Sequence, residues 1–107
     1  MSELRQKRCV PCEGGTPPLA QVEVERLLAQ VRGWSQRGKW ITKELKLKNF
    51  VTAMDFVNRV AELAEAEGHH PDIHIHYNVV RFDIWTHAID GLSENDFILA
   101  AKIDALI

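Results

Sequence analysis

The run DIHIHYNVVRFDIWTH, residues 72–87, alternates apolar and polar side chains on both sides of Tyr77-Asn78. A period of two sends successive side chains to opposite faces of a strand. Val80, Phe82, Ile84 and Thr86 fall on one face, and Arg81, Asp83, Trp85 and His87 on the other. Two strands, one before and one after Tyr77-Asn78, with one covered and one open face, fit this pattern. A second alternating run, WITKELKLKNF, sets Ile41, Leu45 and Leu47 against Thr42, Glu44 and Lys46. Lys43 breaks the apolar set but can lay its stem along the sheet. The segment around Trp34 is the expected hairpin partner of this strand.

Helical periodicity occupies the remaining stretches. From Leu19, an apolar stripe of Val24, Leu27, Leu28 and Val31 predicts a first helix that ends at Gly33. Asn49 is a cap for a second helix, whose expected apolar face is Phe50, Ala53, Met54, Val57, Val60, Ala61 and Ala64. Gly68 should stop that helix and Pro71 prevents its continuation. Ser93 and Asp96 have the spacing of a capping box, followed by a helix that is apolar on a broad front through Phe97, Leu99, Ala100, Ile103, Leu106 and Ile107. The order α-β-β-α-β-β-α predicts an α+β fold, a four-stranded antiparallel sheet with three helices on one face.

A chain of 107 residues, 46% hydrophobic, suits one domain with one core. Residues 1–18 read as an irregular N-terminal arm and 19–107 as the domain. The formal net charge of -2 argues against nucleic acid as a partner. No apolar run approaches the ~20 residues that span a bilayer, and MSELRQKRCV is not a secretory signal, so no membrane role and a cytoplasmic location are expected. Cys9 and Cys12 form a C-x-x-C in the arm, flanked by Pro11, Gly14, Gly15, Pro17 and Pro18. A four-thiolate zinc site needs a second pair, so the two read as structural or incidental, with a weak metal or redox role as the alternative.

Chemistry concentrates in EGHHPDIHIHYN, residues 67–78, which holds four of the chain's five histidines. His74 and His76, two apart on a strand, share a face and suit solvent. His69 and His70 follow a helix end, and His87 lies near a strand end that reaches the same edge if the hairpin returns. Imidazole exchanges protons near neutral pH, so this convergence suits acid–base chemistry. Glu65, one helical turn before His69, could orient an imidazole. A metal site and a merely polar turn stay open as readings of the residues alone, although no HExxH-type spacing is present.

The spacing of Glu65, His69-His70-Pro71, Tyr77, His87 and Asp96 resembles that of the pterin-4a-carbinolamine dehydratases, and HHPDIHIHYN, WTHAIDGLSENDF and LAAKID are similar to phrases of that family. The likeness runs from about Leu19 to the C-terminus. The resemblance implies the fold already read, a homodimer or homotetramer, and no metal or organic cofactor. It implies dehydration of 4a-hydroxytetrahydropterin to quinonoid dihydropterin, a step in tetrahydropterin recycling. By this resemblance His69, His70 and His87 are catalytic, with His69 and His87 in proton transfer and His70 also binding the pterin. Glu65, Pro71, Tyr77 and Asp96 are expected to bind substrate or support the site, and Trp34 and Trp85 are flat surfaces that a pterin could stack on. Some animal members also serve as dimerisation partners of a transcription factor, and bacterial or plastid relatives act in molybdopterin-related metabolism. A non-catalytic binding role or a related pterin pathway is therefore the alternative.

Overall fold

The computed structural model describes residues 4–10 and 16–107. Helix α1 (Gln21–Leu28) leads to strands β1 (Ser35–Arg37) and β2 (Trp40–Lys46), helix α2 (Phe50–Glu67), strands β3 (Asp72–His76) and β4 (Val79–Ile84), and helix α3 (Glu94–Asp104). Short 3-10 turns occur at Leu4–Gln6 and His87–Ile89. The four strands form one antiparallel sheet in the order β1-β2-β4-β3. This is the α-β-β-α-β-β-α architecture expected from the periodicities.

Register follows from which side chains must be buried. Ile41 pairs with Ile84, Lys43 with Phe82 and Leu45 with Val80, while Ile73 meets Phe82 from the other side. Ile41, Val80, Phe82 and Ile84 are each 0% exposed, so a slip of one residue would turn the whole set to solvent. Phe56 of α2 meets Phe82 edge to face with ring centroids 6.0 Å apart. Helix α3 is enclosed almost all round: Phe97, Ile98, Leu99, Ala100, Ala101 and Ile103 are buried. Among the described residues, no helix is long and apolar enough to cross a membrane.

Lys43 occupies an inward position, and its ammonium reaches Asp104 Oδ1 at 2.8 Å and the Arg32 carbonyl at 2.6 Å. Asp104 also accepts from Trp34 Nε1 and from the Arg32 N–H, each at 3.0 Å. This cluster explains why α1 stops at Leu28 rather than at Gly33. Past Leu28 the backbone tightens into i→i+3 bonds, Gln30 N–H to Leu27 O and Val31 N–H to Leu28 O. Arg32 is then held at the end of α3, and Gly33 serves the turn into β1 with φ of 75°.

The core face of α2 also departs from the expected one. Phe56 is buried with Ala53, Val57, Val60 and Ala64, whereas Phe50 is 48% exposed. Ala61 is exposed and Met54 only partly covered. Periodicity assigns a stripe to a helix, but neighbouring elements decide how far and how widely it is covered. Ile107, beyond the end of α3, is likewise 66% exposed.

The arm is docked where it is described. Leu4 is 2% exposed and belongs to the core, and Leu19 N–H donates to Leu92 O at 2.9 Å. Cys9 carries a free thiol; Cys12, the other half of C-x-x-C, lies outside the described residues.

Candidate active site

Asn49 starts α2 by accepting the Thr52 N–H at 2.8 Å, and after the helix's eighteen residues Gly68 ends it in the left-handed region at φ of 66°. Gly68 N–H donates to Glu65 O and His69 N–H to Ala64 O, the paired bonds that close a helix C-terminus. This reversal points the two consecutive histidines to different partners.

His69 turns inward. Its Nε2 lies 2.6 Å from Asp96 Oδ1, and Asp96 is 0% exposed. The other oxygen, Oδ2, accepts the Ser93 N–H at 2.8 Å and the Thr86 hydroxyl at 2.9 Å. Asp96 therefore caps α3, as the spacing indicated, and also orients His69. The N-terminus of α3 favours negative charge at that place. Against an ionised Asp96, which can only accept, His69 Nε2 is the donor of this bond.

His70 turns outward, and its Nε2 pairs with Glu65 Oε2. Glu65 was expected to orient an imidazole one turn on. The left-handed step at Gly68 instead brings the fifth residue back over it, and both side chains stay more than half exposed.

His87 begins the 3-10 turn after β4 and is exposed. Its ring stacks on Trp85 with centroids 4.0 Å apart at 33°. Lys39, from the β1–β2 turn, sets its ammonium 4.8 Å from the centre of the Trp85 ring and 2.6 Å from Asp90 Oδ1. The indole thus contacts both an imidazole and a cation.

These pieces surround one cleft of about 550 Å³, lined by His69, His70 and Pro71 from one side of the sequence and Trp85, Thr86 and His87 from the other. That volume lies in the range of small-molecule sites. Tyr77 is not brought to it. It sits 69% exposed at the β3–β4 turn with φ of 55°, about 17 Å along the strand from Asp72 at the cleft. Trp34 is in the core, whereas Trp85 lines the cleft. His74 belongs to the open sheet face, 3.1 Å from Asp83 Oδ2, and His76 is exposed. Among the described residues, no group of three His, Cys, Asp or Glu side chains could hold a metal ion.

Glu67 and Asn95 are among the cleft residues that the sequence did not single out. Glu67 has a side chain only 6% exposed, and Asn95 is 5% exposed. Burial alone would raise the Glu67 pKa, but the Cys9 N–H and the nearby Lys102 and Arg8 charges outweigh it and hold the carboxyl below its ordinary value. Burial, followed by the Glu67 charge, pushes the Cys9 thiol up to about 12. Glu67 reads as ordinary polar surface near a helix end, and nothing local announces the arm that covers it.

Residues 17–106 match the family described as Pterin 4 alpha carbinolamine dehydratase. The chain is 52% identical over 106 residues to a provisionally named pterin-4-alpha-carbinolamine dehydratase of Nitrosospira multiformis, covering 99% of this chain and 94% of that one. It is 50% identical over 107 residues to a protein of the same provisional name from Rubrobacter xylanophilus, covering 99% and 100%. The crystal structure of a transcriptional coactivator/pterin dehydratase from Brucella melitensis superposes with a TM-score of 0.80 at 33% identity, covering 83% of this chain and 97% of that one.

Proposed function

Because the chain belongs to the pterin-4-alpha-carbinolamine dehydratase family, we propose that it dehydrates 4a-hydroxytetrahydropterin to quinonoid dihydropterin by histidine acid–base catalysis. In this reaction the C4a–O bond breaks with its electron pair and the oxygen leaves as water after gaining a proton. The N5–H pair becomes the second bond of C4a=N5 as that proton departs. One group must donate and another accept, each able to exchange near neutral pH. The observation that carries this reading is that His69, fixed by buried Asp96, and His87, stacked on Trp85, line the same cleft from different elements.

His69 and His87 are the proton-transfer pair in this reading. His70 with Glu65 binds and orients the pterin at the cleft mouth, and Pro71 fixes the turn that follows the two histidines. Trp85 offers the flat surface beside which a pterin ring would lie. The product would return to the tetrahydro state through a separate reductase. A homo-oligomer is the proposed working form, supported by the exposure of Phe50 and Val51 on the first turn of α2, 48% and 67%.

Stopped-flow absorbance on the freshly generated carbinolamine tests the reaction, with chelator-treated protein. The wild-type chain should accelerate loss of the carbinolamine, and His69→Ala and His87→Ala should each remove about 100-fold or more of that acceleration. Wild-type rates in both variants would sink the assignment. Sedimentation of the purified chain tests the oligomer.

A further inference from the structure

The described arm runs along α3 and ends at the cleft. Leu4 is buried, and Lys7 Nζ pairs with Glu94 Oε2 at 2.8 Å. Beyond these contacts two side chains clamp the backbone. Asn95 Oδ1 accepts the Val10 N–H at 3.0 Å, and its Nδ2 donates to the Val10 carbonyl. One buried amide therefore satisfies both backbone groups of Val10, as a neighbouring strand would. Glu67 Oε1 accepts the Cys9 N–H at 2.8 Å, while its Oε2 stands 3.6 Å from Lys102 Nζ and 3.5 Å from Arg8 Nε.

Both anchors adjoin the proton-transfer machinery in sequence: Glu67 precedes His69 by two residues, and Asn95 immediately precedes Asp96. Cys9 and Val10 line the same cleft as His69 and His87. Val10 is held by its backbone while its side chain remains 64% exposed. Ordering an apolar side chain without covering it recovers little of the entropy spent, and a bound molecule that covers it recovers more.

Taking the dehydratase reading as given, we propose that Cys9 and Val10 form an apolar wall of the pterin cleft, clamped in place by Asn95 and Glu67. The wall serves substrate binding, not proton transfer. Val10 touches the substrate; Asn95 and Glu67 are positioning residues that act through the arm backbone.

Val10→Gly tests the wall at an exposed position where folding is undisturbed, as circular dichroism would verify. It should raise KM about fivefold or more while kcat changes less than about twofold. Glu67→Ala should raise KM in the same way. Glu67→Gln, which keeps an oxygen for the Cys9 N–H, should recover most of that loss. Independently of turnover, Val10→Cys in a Cys9→Ser, Cys12→Ser background places a thiol on the wall. Saturating dihydrobiopterin should slow its reaction with N-ethylmaleimide about fivefold or more. If the wild-type chain binds dihydrobiopterin and dehydrates the carbinolamine, yet Val10→Gly leaves KM unchanged and the thiol is unprotected, the wall is wrong and the dehydratase reading stands. A wild-type chain that neither binds dihydrobiopterin nor accelerates dehydration overturns both.

Discussion

His69 Nε2 lies 2.6 Å from Asp96 Oδ1, and the second oxygen of that carboxylate caps α3 through the Ser93 N–H. One buried group thus starts a helix and orients an imidazole. Asp96→Asn keeps the volume but replaces an acceptor oxygen with a donor, so one of its three partners is lost. It should lower turnover about 100-fold and cost about 1–3 kcal/mol of stability. Ser93→Ala keeps the backbone N–H and should cost about 1 kcal/mol with turnover nearly retained. Stopped-flow rates and urea midpoints separate the two effects, and equal turnover in both variants would refute the orienting role.

The Glu65–His70 pair is a different case, because its side chains are 78% and 58% exposed. Exposed pairs contribute about 0–1 kcal/mol and are screened by salt. Glu65→Gln should leave the urea midpoint almost unmoved and raise KM modestly, by a factor that shrinks as sodium chloride is added. A loss of stability above about 2 kcal/mol would contradict the weak pairing.

Cys9 should react slowly with thiol reagents. Its pKa is raised from 9.0 to about 12, so the folded state favours the neutral thiol. That contribution is present below pH 9.0 and is lost as pH rises toward about 12. In a Cys12→Ser chain, iodoacetamide at pH near neutrality should modify Cys9 roughly 100-fold more slowly than in the urea-unfolded chain. Equal rates would show that the thiol is not held as described.

Glu67 titrates in the opposite sense. Its folded pKa lies below the ordinary 4.5, so its stabilisation is complete above pH 4.5 and fades as pH falls through the folded value. Protection of the Cys9 and Val10 amides from hydrogen exchange should therefore drop in that acid range, relative to the intrinsic exchange rates. Glu67→Gln should make their protection less dependent on pH there.

Gly91 bonds in both directions with the Thr86 backbone, N–H to O at 3.3 Å and O to N–H at 2.9 Å. A methyl carbon on Gly91 would stand 2.8 Å from Pro18 Cβ. Gly91→Ala must push the segment before α1 away or shift Thr86, which supports Asp96. The expected cost is about 1–3 kcal/mol, with a fall in turnover. Thermal unfolding and the dehydration assay measure both; an unchanged melting temperature would show that the segment yields freely.

Strands β2 and β4 were legible because burial imposes a period of two, and β4 carries its apolar positions without interruption from Val80 to Ile84. The end of α2 was legible because Gly68 and Pro71 restrict backbone angles locally. The end of α1 was not, because Asp104, seventy-two residues beyond Arg32, takes its N–H at 3.0 Å. Phe50 and Phe56 were likewise indistinguishable by local apolarity; the sheet below α2 covers one and leaves the other exposed.

The same division runs through the site. Sequence by itself determined the α+β order, the helix-ending turn that carries His69 and His70, and the capping role of Asp96, since each rests on neighbours a few residues apart. Tertiary structure decided that Asp96 also holds His69, that Glu65 pairs with His70, that Tyr77 lies away from the cleft, and that the arm is clamped by Glu67 and Asn95. Those relationships join residues from separate elements, and only packing of the helices on the sheet sets the distances and directions on which a hydrogen bond depends.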